Sequence, residues 1–322
     1  MKNNKGIRSP FFYVGDKYKL MPQLLNYFPD EIDTFYDVFC GGGSASINVT
    51  AKNYYLNDIN SYVIQLHTWL KENSFKIDAL ISDLYKTINE YNLSHSEYGI
   101  NKTIIELKNE YKKTYFSKYN KEAYSKLRDD FNLDKANMNL LYLLLIYGFN
   151  HMIRFNNKGL FNLPVGNVDW NKNVTNSIRA YSNWIRNAEN VVYSSEDFEK
   201  FIRKNHYKDK DFVYFDPPYL ITFSDYNKFW NEEEEVRLLI LLDELDREGI
   251  KWGLSNMLRH KGKENRLLLE WSYKYNVYEI SSNYISRFDN TKKSDSKEIF
   301  VTNLTKERKV WKTFFFFSNL MV

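Results

Sequence analysis

The chain has 322 residues, 43% of them apolar, so one large domain with an insertion, or two domains, is expected. Its single cysteine, Cys40, excludes an internal disulfide, and a net charge of +4 permits a nucleic-acid partner without requiring one. The first 30 residues are polar and mixed, and the apolar runs 140–147 and 314–317 are too short to span a bilayer, which predicts a soluble cytoplasmic protein with no membrane partner.

Residues 34–39 read as a short apolar strand broken by Gly41, Gly42 and Gly43, after which 44–49 opens a helix. A second strand at 54–56 ends in Asn57 and Asp58, and a helix follows over about 60–70. This order of strand, glycine turn, helix, strand and acid begins a doubly wound sheet. From about 71 to 182 the pattern turns helical and rich in Lys and Tyr. The α/β rhythm then resumes, with strands predicted at 190–193, 211–215 and 250–254. A helix is predicted from Asn231 to Gly249, and a closing hairpin pair at 275–280 and 299–303. The run Glu232, Glu233, Glu234 and Glu235 suits the positive end of a helix dipole and needs no functional reading.

Two segments carry chemistry. In the first, Asp37, Phe39, Gly41, Gly43 and Ser44 lie where a strand hands over to a helix, and lack of a Cβ lets the backbone turn tightly against a ligand. Asp58, 17 residues past Gly41, stands where a carboxylate accepts from ribose hydroxyls. No Gly-Lys-Ser/Thr follows, so triphosphate binding is excluded. A nicotinamide or flavin dinucleotide stays open at this point, although Ser46 replaces the third glycine of that fingerprint. In the second, an apolar strand runs straight into Asp216, Pro217, Pro218 and Tyr219. Two prolines make a rigid loop that presents carbonyls, and an ionised carboxylate only accepts. Asp216 and the Pro217 carbonyl suit an aromatic amine, a poor nucleophile whose two N–H bonds they would polarise. Tyr219 offers a face on which a base stacks.

Taken together, these segments resemble the Dam-type (D12) family of DNA N6-adenine methyltransferases, in the alpha group, where the glycine motif comes first, the insertion second and the Asp-Pro-Pro-Tyr motif third. Tyr13, Gly15 and Lys17 are similar to the family's opening Lys-Trp-x-Gly-Gly-Lys, with Tyr13 in place of Trp and Asp16 in place of the second Gly. Asp197 and Phe198 resemble the pair that brackets the cofactor's adenine; Ser255, Asn256 and 298–303 match later motifs. The resemblance implies an α/β fold: a Rossmann-like S-adenosylmethionine-dependent methyltransferase sheet over 1–70 and 189–322. It also implies an inserted, mainly helical target-recognition domain over 71–188. Cofactor contacts are then expected from Tyr13, Lys17, Asp37, Phe39, Gly41, Gly43, Ser44, Asp58, Asp197, Phe198 and Asp216, with no metal.

Within the insertion, 150–166 reads as a hairpin turning at 156–159. Arg and Asn side chains read base edges and Lys suits phosphate. The run is similar to the family hairpin that enters DNA, which implies Arg154, Asn156, Asn157, Lys158, Asn162 and Pro164 as the DNA-binding set. Residues 102–128, with eight Lys or Arg against three Glu, read either as a phosphate-contacting face or as the solvated side of an amphipathic helix. Lys292, Lys293 and Lys297 approach the backbone or form a loop only. The implied partners are double-stranded DNA and a restriction endonuclease of the same site, with GATC the family's commonest target; the chain is expected to be a monomer or weak dimer. Rival readings are cytosine N4 or RNA adenine methylation, and a silent DNA-binding homologue.

Overall fold

A computed structural model describes residues 6–222, 230–281 and 296–305, so Lys292, Lys293 and the aromatic run 314–317 lie outside the described residues. In chain order the strands are β1 (Thr34–Asp37), β2 (Asn53–Asn57), β3 (Asn190–Ser194), β4 (Phe212–Phe215), β5 (Trp252–His260), β6 (Lys263–Glu264), β7 (Asn276–Ile280) and β8 (Lys297–Thr302). The helices are α1 (Met21–Leu24), α2 (Ser61–Glu72), α3 (Ile77–Tyr91), α4 (Lys102–Tyr111), α5 (Tyr115–Leu133), α6 (Met138–Tyr147), α7 (Lys172–Asn187), α8 (Phe198–Lys204), α9 (Glu232–Arg247) and α10 (Arg266–Ser272).

The strands form one sheet in the order β3-β2-β1-β4-β5-β8-β7, with β6 paired to β5 alone. From β3 to β5 neighbouring strands are parallel; β8 runs antiparallel to both β5 and β7. Side-chain alternation divides the core between the two faces. Phe35, Phe212, Tyr214 and Phe300 point to one side, and Tyr36, Val213, Phe215 and Val301 to the other. With both faces covered, β4 has no polar residue, as a central parallel strand requires. This is the open, mostly parallel sheet expected of a Rossmann-like fold.

The first face is covered by α2 together with α3, α5, α6 and α7; the second carries α8, α9 and α10. Eight consecutive side chains of α6, Leu140 to Tyr147, are buried, so the helix is apolar all round because it is enclosed. Helix α7 enters β3 after two residues, and its Tyr181 hydroxyl meets that of Tyr193 at 2.8 Å. The helical stretch between β2 and β3 therefore shares the core of the sheet.

Two local expectations change, and a third segment takes the amphipathic form that was one of its two readings. Residues 44–49 form only a 3-10 turn over Ser46–Asn48, because Asn48 is bound on both sides by backbone: its Oδ1 accepts from Ile7 N (2.6 Å) and its Nδ2 donates to Ser44 O (2.8 Å). Strand β5 runs to His260, beyond the expected end at 254, since Ser255 and Asn256 stay in the ladder opposite Phe300 and Ile299. The basic segment 102–128 is two helices broken at Lys112 (φ 47°), with Phe116, Tyr124 and Leu127 inward and its lysines outward.

Leu144 has no exposed surface. Truncation of a buried leucine costs about 2–5 kcal/mol through lost burial and the cavity left behind. Leu144→Ala should lower unfolding stability by that amount in urea denaturation. A loss below about 1 kcal/mol would show that α6 is not part of the shared core.

Candidate active site

The sheet reverses its direction of growth between β1 and β4, and the crevice beyond the carboxyl ends of such strands is where open α/β sheets hold ligands. Asp37 ends β1 opposite Tyr214, and Asp216 follows β4 by one residue. Two acids thus stand side by side at the switch point. Lys17 reaches in from the N-terminal segment, its Nζ 3.1 Å from Asp216 Oδ2 and 3.8 Å from Glu298 Oε1 on β8. The Tyr219 hydroxyl donates to Glu298 (2.7 Å) and lies 3.2 Å from Asp216 Oδ1, while the Lys17 ammonium sits 4.9 Å from the centre of the Tyr219 ring. Pro217 is buried and Pro218 half-buried between them. Burial pushes the Asp216 carboxyl up to about 6, with Lys17 pulling it down and Glu298 raising it. Burial also lifts Asp37 to about 7 against the 2.7 Å hydrogen bond from Ser46, with Asp216 and Asp58 adding to the rise.

The glycine turn lies beside these acids. Gly41 N donates to Asp58 Oδ2 (3.0 Å), and Asn60 N donates to Asp58 Oδ1 (2.8 Å), so the carboxylate shapes the turn that it flanks. Gly43 adopts φ +75°, and a Cβ there would lie 2.9 Å from His67 Cε1. Tyr13 packs over the turn, 3.3 Å from the place of a Gly41 Cβ. Ser44 donates to Asp16, which also accepts from Tyr18 N (3.0 Å) and pairs with Arg8 (3.3 Å). The aspartate that stands in place of glycine therefore ties the Lys17 segment to the turn. On the far side the Phe39 and Phe198 rings are 5.5 Å apart. Asp197 caps α8 by accepting from Glu199 N (3.1 Å) and pairs with Arg237, whose guanidinium covers Phe198 at 4.3 Å.

The hairpin forms as expected, and its first residues meet the N-terminal segment where the His151 ring lies 5.6 Å from Phe12. Phe155 bridges Phe161, Gly159 N donates to Asn156 O (2.8 Å), and Phe155 stacks on Tyr62 of α2 at 4.5 Å. Several of its polar groups bond within it. Arg154 donates to Asn162 Oδ1 and O, both at 3.0 Å, and Asn156 Oδ1 accepts from Lys158 N (2.9 Å) and Leu160 N (3.1 Å). Pro164 O accepts from Phe149 N (2.9 Å). Asn157 and Lys158 are exposed at the turn.

The family model for D12 class N6 adenine-specific DNA methyltransferases matches residues 13–286. The chain belongs to that family. It is 36% identical to the Type II methyltransferase M.FokI of Planomicrobium okeanokoites over 94% of its own length and 44% of the relative's. It is 32% identical to the modification methylase StsI of Streptococcus sanguinis, over 93% and 43%. With the Type II methyltransferase M1.LlaDCHI of Lactococcus lactis subsp. cremoris it shares 26% identity, over 94% and 97%. The chain thus spans less than half the length of the first two relatives and nearly all of the third.

The sequence reading held Glu298 only within a later motif, without a role, and missed the parts played by Glu235, Trp230 and His67. Glu298 is 1% exposed and holds Tyr219 and Lys17 from a strand 79 residues beyond Tyr219. Glu235, read with its neighbours as a dipole complement, is fully buried instead. It accepts from Trp230 Nε1 (2.7 Å), Asn256 Nδ2 (3.0 Å) and Asn265 Nδ2 (2.8 Å). It thereby fixes Trp230, whose ring lies 5.6 Å from Phe39 and 5.9 Å from Phe198. His67 donates from Nε2 to Gly41 O (2.8 Å) and accepts at Nδ1 from Tyr181 (2.6 Å), and burial lowers it to about 4, so it holds the turn as a neutral ring.

Asp37 is raised in the folded chain from its ordinary value near 3.8 to about 7. Its contribution to stability is then fully present below the lower value and lost as pH rises through the higher one. Thermal unfolding of Asp37→Asn should accordingly show a smaller drop in Tm between pH 5 and pH 8 than the wild type. Equal drops would remove Asp37 as the cause.

Proposed function

We propose that the chain transfers a methyl group from S-adenosylmethionine to N6 of an adenine turned out of duplex DNA. The observation that carries this reading is the junction at the switch point: Asp216, Pro217 and Tyr219 at the end of β4 beside Asp37 and the glycine turn at the end of β1. The residues present suit the cofactor. Gly41 and Gly43, at φ 45° and 75°, let the backbone turn tightly between Tyr13 and His67, the half-buried Asp58 flanks that turn as an acceptor that would suit ribose hydroxyls, and Phe39, Phe198 and Trp230 offer apolar rings to an adenine. The raised carboxyls of Asp37 and Asp216 favour a cationic ligand, since an added positive charge relieves their mutual repulsion. When bound, S-adenosylmethionine supplies a methyl group activated by a positively charged sulfur.

The protein's own part is positioning and electrostatics. Asp216 and the Pro217 carbonyl accept the two N6 hydrogens, draw the amine toward tetrahedral geometry and stabilise the charge that develops on nitrogen. Lys17 and Tyr219 hold the carboxylate in place. With Lys17 against one face of Tyr219, the extruded base stacks on the other face. We assign residues 1–70 and 189–322 to cofactor and catalysis and 71–188 to target recognition, with duplex DNA as partner and a restriction endonuclease of the same site as companion. Among the described residues, no helix is long and apolar enough to cross a membrane.

Asp216→Ala should keep DNA affinity while losing at least about 10²–10³-fold in kcat at saturating cofactor, with N6-methyladenine as the wild-type product in nucleoside digests. Substantial turnover by the variant, or N4-methylcytosine as product, would overturn the assignment. Because Asp216 acts ionised and its carboxyl is raised to about 6, kcat/KM should climb with pH through about 6 and then level. A profile flat from pH 5 to 7 would contradict this.

A further inference from the structure

Strand β5 outlasts its neighbour. Leu254 pairs with Phe215, the last residue of β4, yet β5 continues to His260. Six further residues carry about 20 Å of chain past the end of β4. There it turns through Lys261 and Gly262, at φ 49° and 77°, and returns as β6 with Arg259 opposite Glu264 and His260 opposite Lys263. Both turn residues at positive φ make a tight hairpin turn, a shape that favours Asn-Gly or Asp-Gly. Lys at the first position is a poor choice for the turn itself and instead places a charge at its tip.

Arg259, Lys261, Lys263 and Arg266 are all exposed. Arg259 pairs with Glu264 at 2.7 Å, whereas Lys261, Lys263 and Arg266 have no ion-pair partner among the described residues. The hairpin, with Arg266 at the start of α10 beside it, thus carries three cations that no acid neutralises among the described residues. A groove of about 680 Å³ is lined by Arg259, Gly262, Lys263, Glu264 and Arg266 together with Ile221, two residues past Tyr219. The 150–166 hairpin is held elsewhere, by Tyr62 of α2 stacked on Phe155 and by Asn132 and Lys135 at the end of α5 and just beyond it.

We propose that the β5–β6 hairpin is a second DNA-binding element that grips backbone phosphates of the duplex beside the extruded adenine. The inference rests on the DNA-methyltransferase reading. Phosphate contacts are sequence-independent and release counterions, so each neutralised phosphate contributes about 0.9 to the slope of log affinity against log salt.

The test uses the 322-residue chain, a mixed-sequence DNA duplex as probe, and the triple variant Lys261→Gln, Lys263→Gln, Arg266→Gln. A control triple, Lys52→Gln, Lys210→Gln, Lys251→Gln, removes the same charge from the amino ends of the strands, at the opposite edge of the sheet. The hairpin variant should lose about 2–3 from the slope while its melting temperature and S-adenosylmethionine affinity stay unchanged; the control should keep the wild-type slope. An unchanged slope, or an equal loss in the control, overturns the proposal. If the wild type methylates DNA in either of those cases, the hairpin inference alone fails. A wild type that neither binds nor methylates duplex overturns both readings.

Discussion

One ammonium serves two carboxylates at the heart of this molecule. Lys17 Nζ stands between Asp216 and Glu298, and Tyr219 donates into the same pair of acids. Burying charges is costly unless each is matched, and here the negative side exceeds the positive, with Asp37 close behind. The four groups come from the N-terminal segment, the loop after β4 and strand β8, so the charge balance can be met only when the whole sheet has assembled. The surplus of acid has a second consequence. The pocket is held short of neutrality, which makes a cation such as a sulfonium a better occupant than any neutral ligand of the same shape.

How far the sequence reveals this arrangement follows from the range of each interaction. Asp216 to Tyr219 and the glycine turn are legible because a few consecutive residues set their backbone, and the strands before them carry unbroken apolar runs. The hairpin around Asn156 and Gly159 is legible for the same reason. Glu235 is different: its role appears only when α9 lies against β5 and α10, bringing Asn256 and Asn265 to one carboxylate. A run of four glutamates conceals which of them faces inward, since helical phase is visible only in the leucines that follow. Likewise Ser255 and Asn256 look like the end of a strand, and only pairing with β8 shows that the strand continues.

The hairpin shows a limit of another kind. Arg and Asn have the right groups for reading bases, and the same groups build turns. In the protein alone, Arg154 is bound to Asn162 and Asn156 to the turn backbone. These bonds make the hairpin rigid, so it meets a partner with its shape already set and less ordering entropy to lose. Asn157 and Lys158, exposed at the tip, are better placed for contacts outside the protein.

The proposed methyl transfer would set opposing electrostatic demands on this chain. Its pocket must attract a cation and an amine that becomes positive, whereas its outer surface must hold a polyanion. The fold separates the two fields by distance. Acids gather at the ends of β1 and β4 and at Glu298, which faces Met257 of β5, and the cations of the β5–β6 turn stand at its exposed tip, with Lys261 four residues, or about 13 Å of strand, further on. Exposed charges more than about 8 Å apart are largely screened at physiological salt. The acidic crevice therefore does little to repel a duplex held at the hairpin, and the hairpin does little to neutralise the crevice. A net charge of only +4 conceals this division, because it sums a negative interior site with a positive rim.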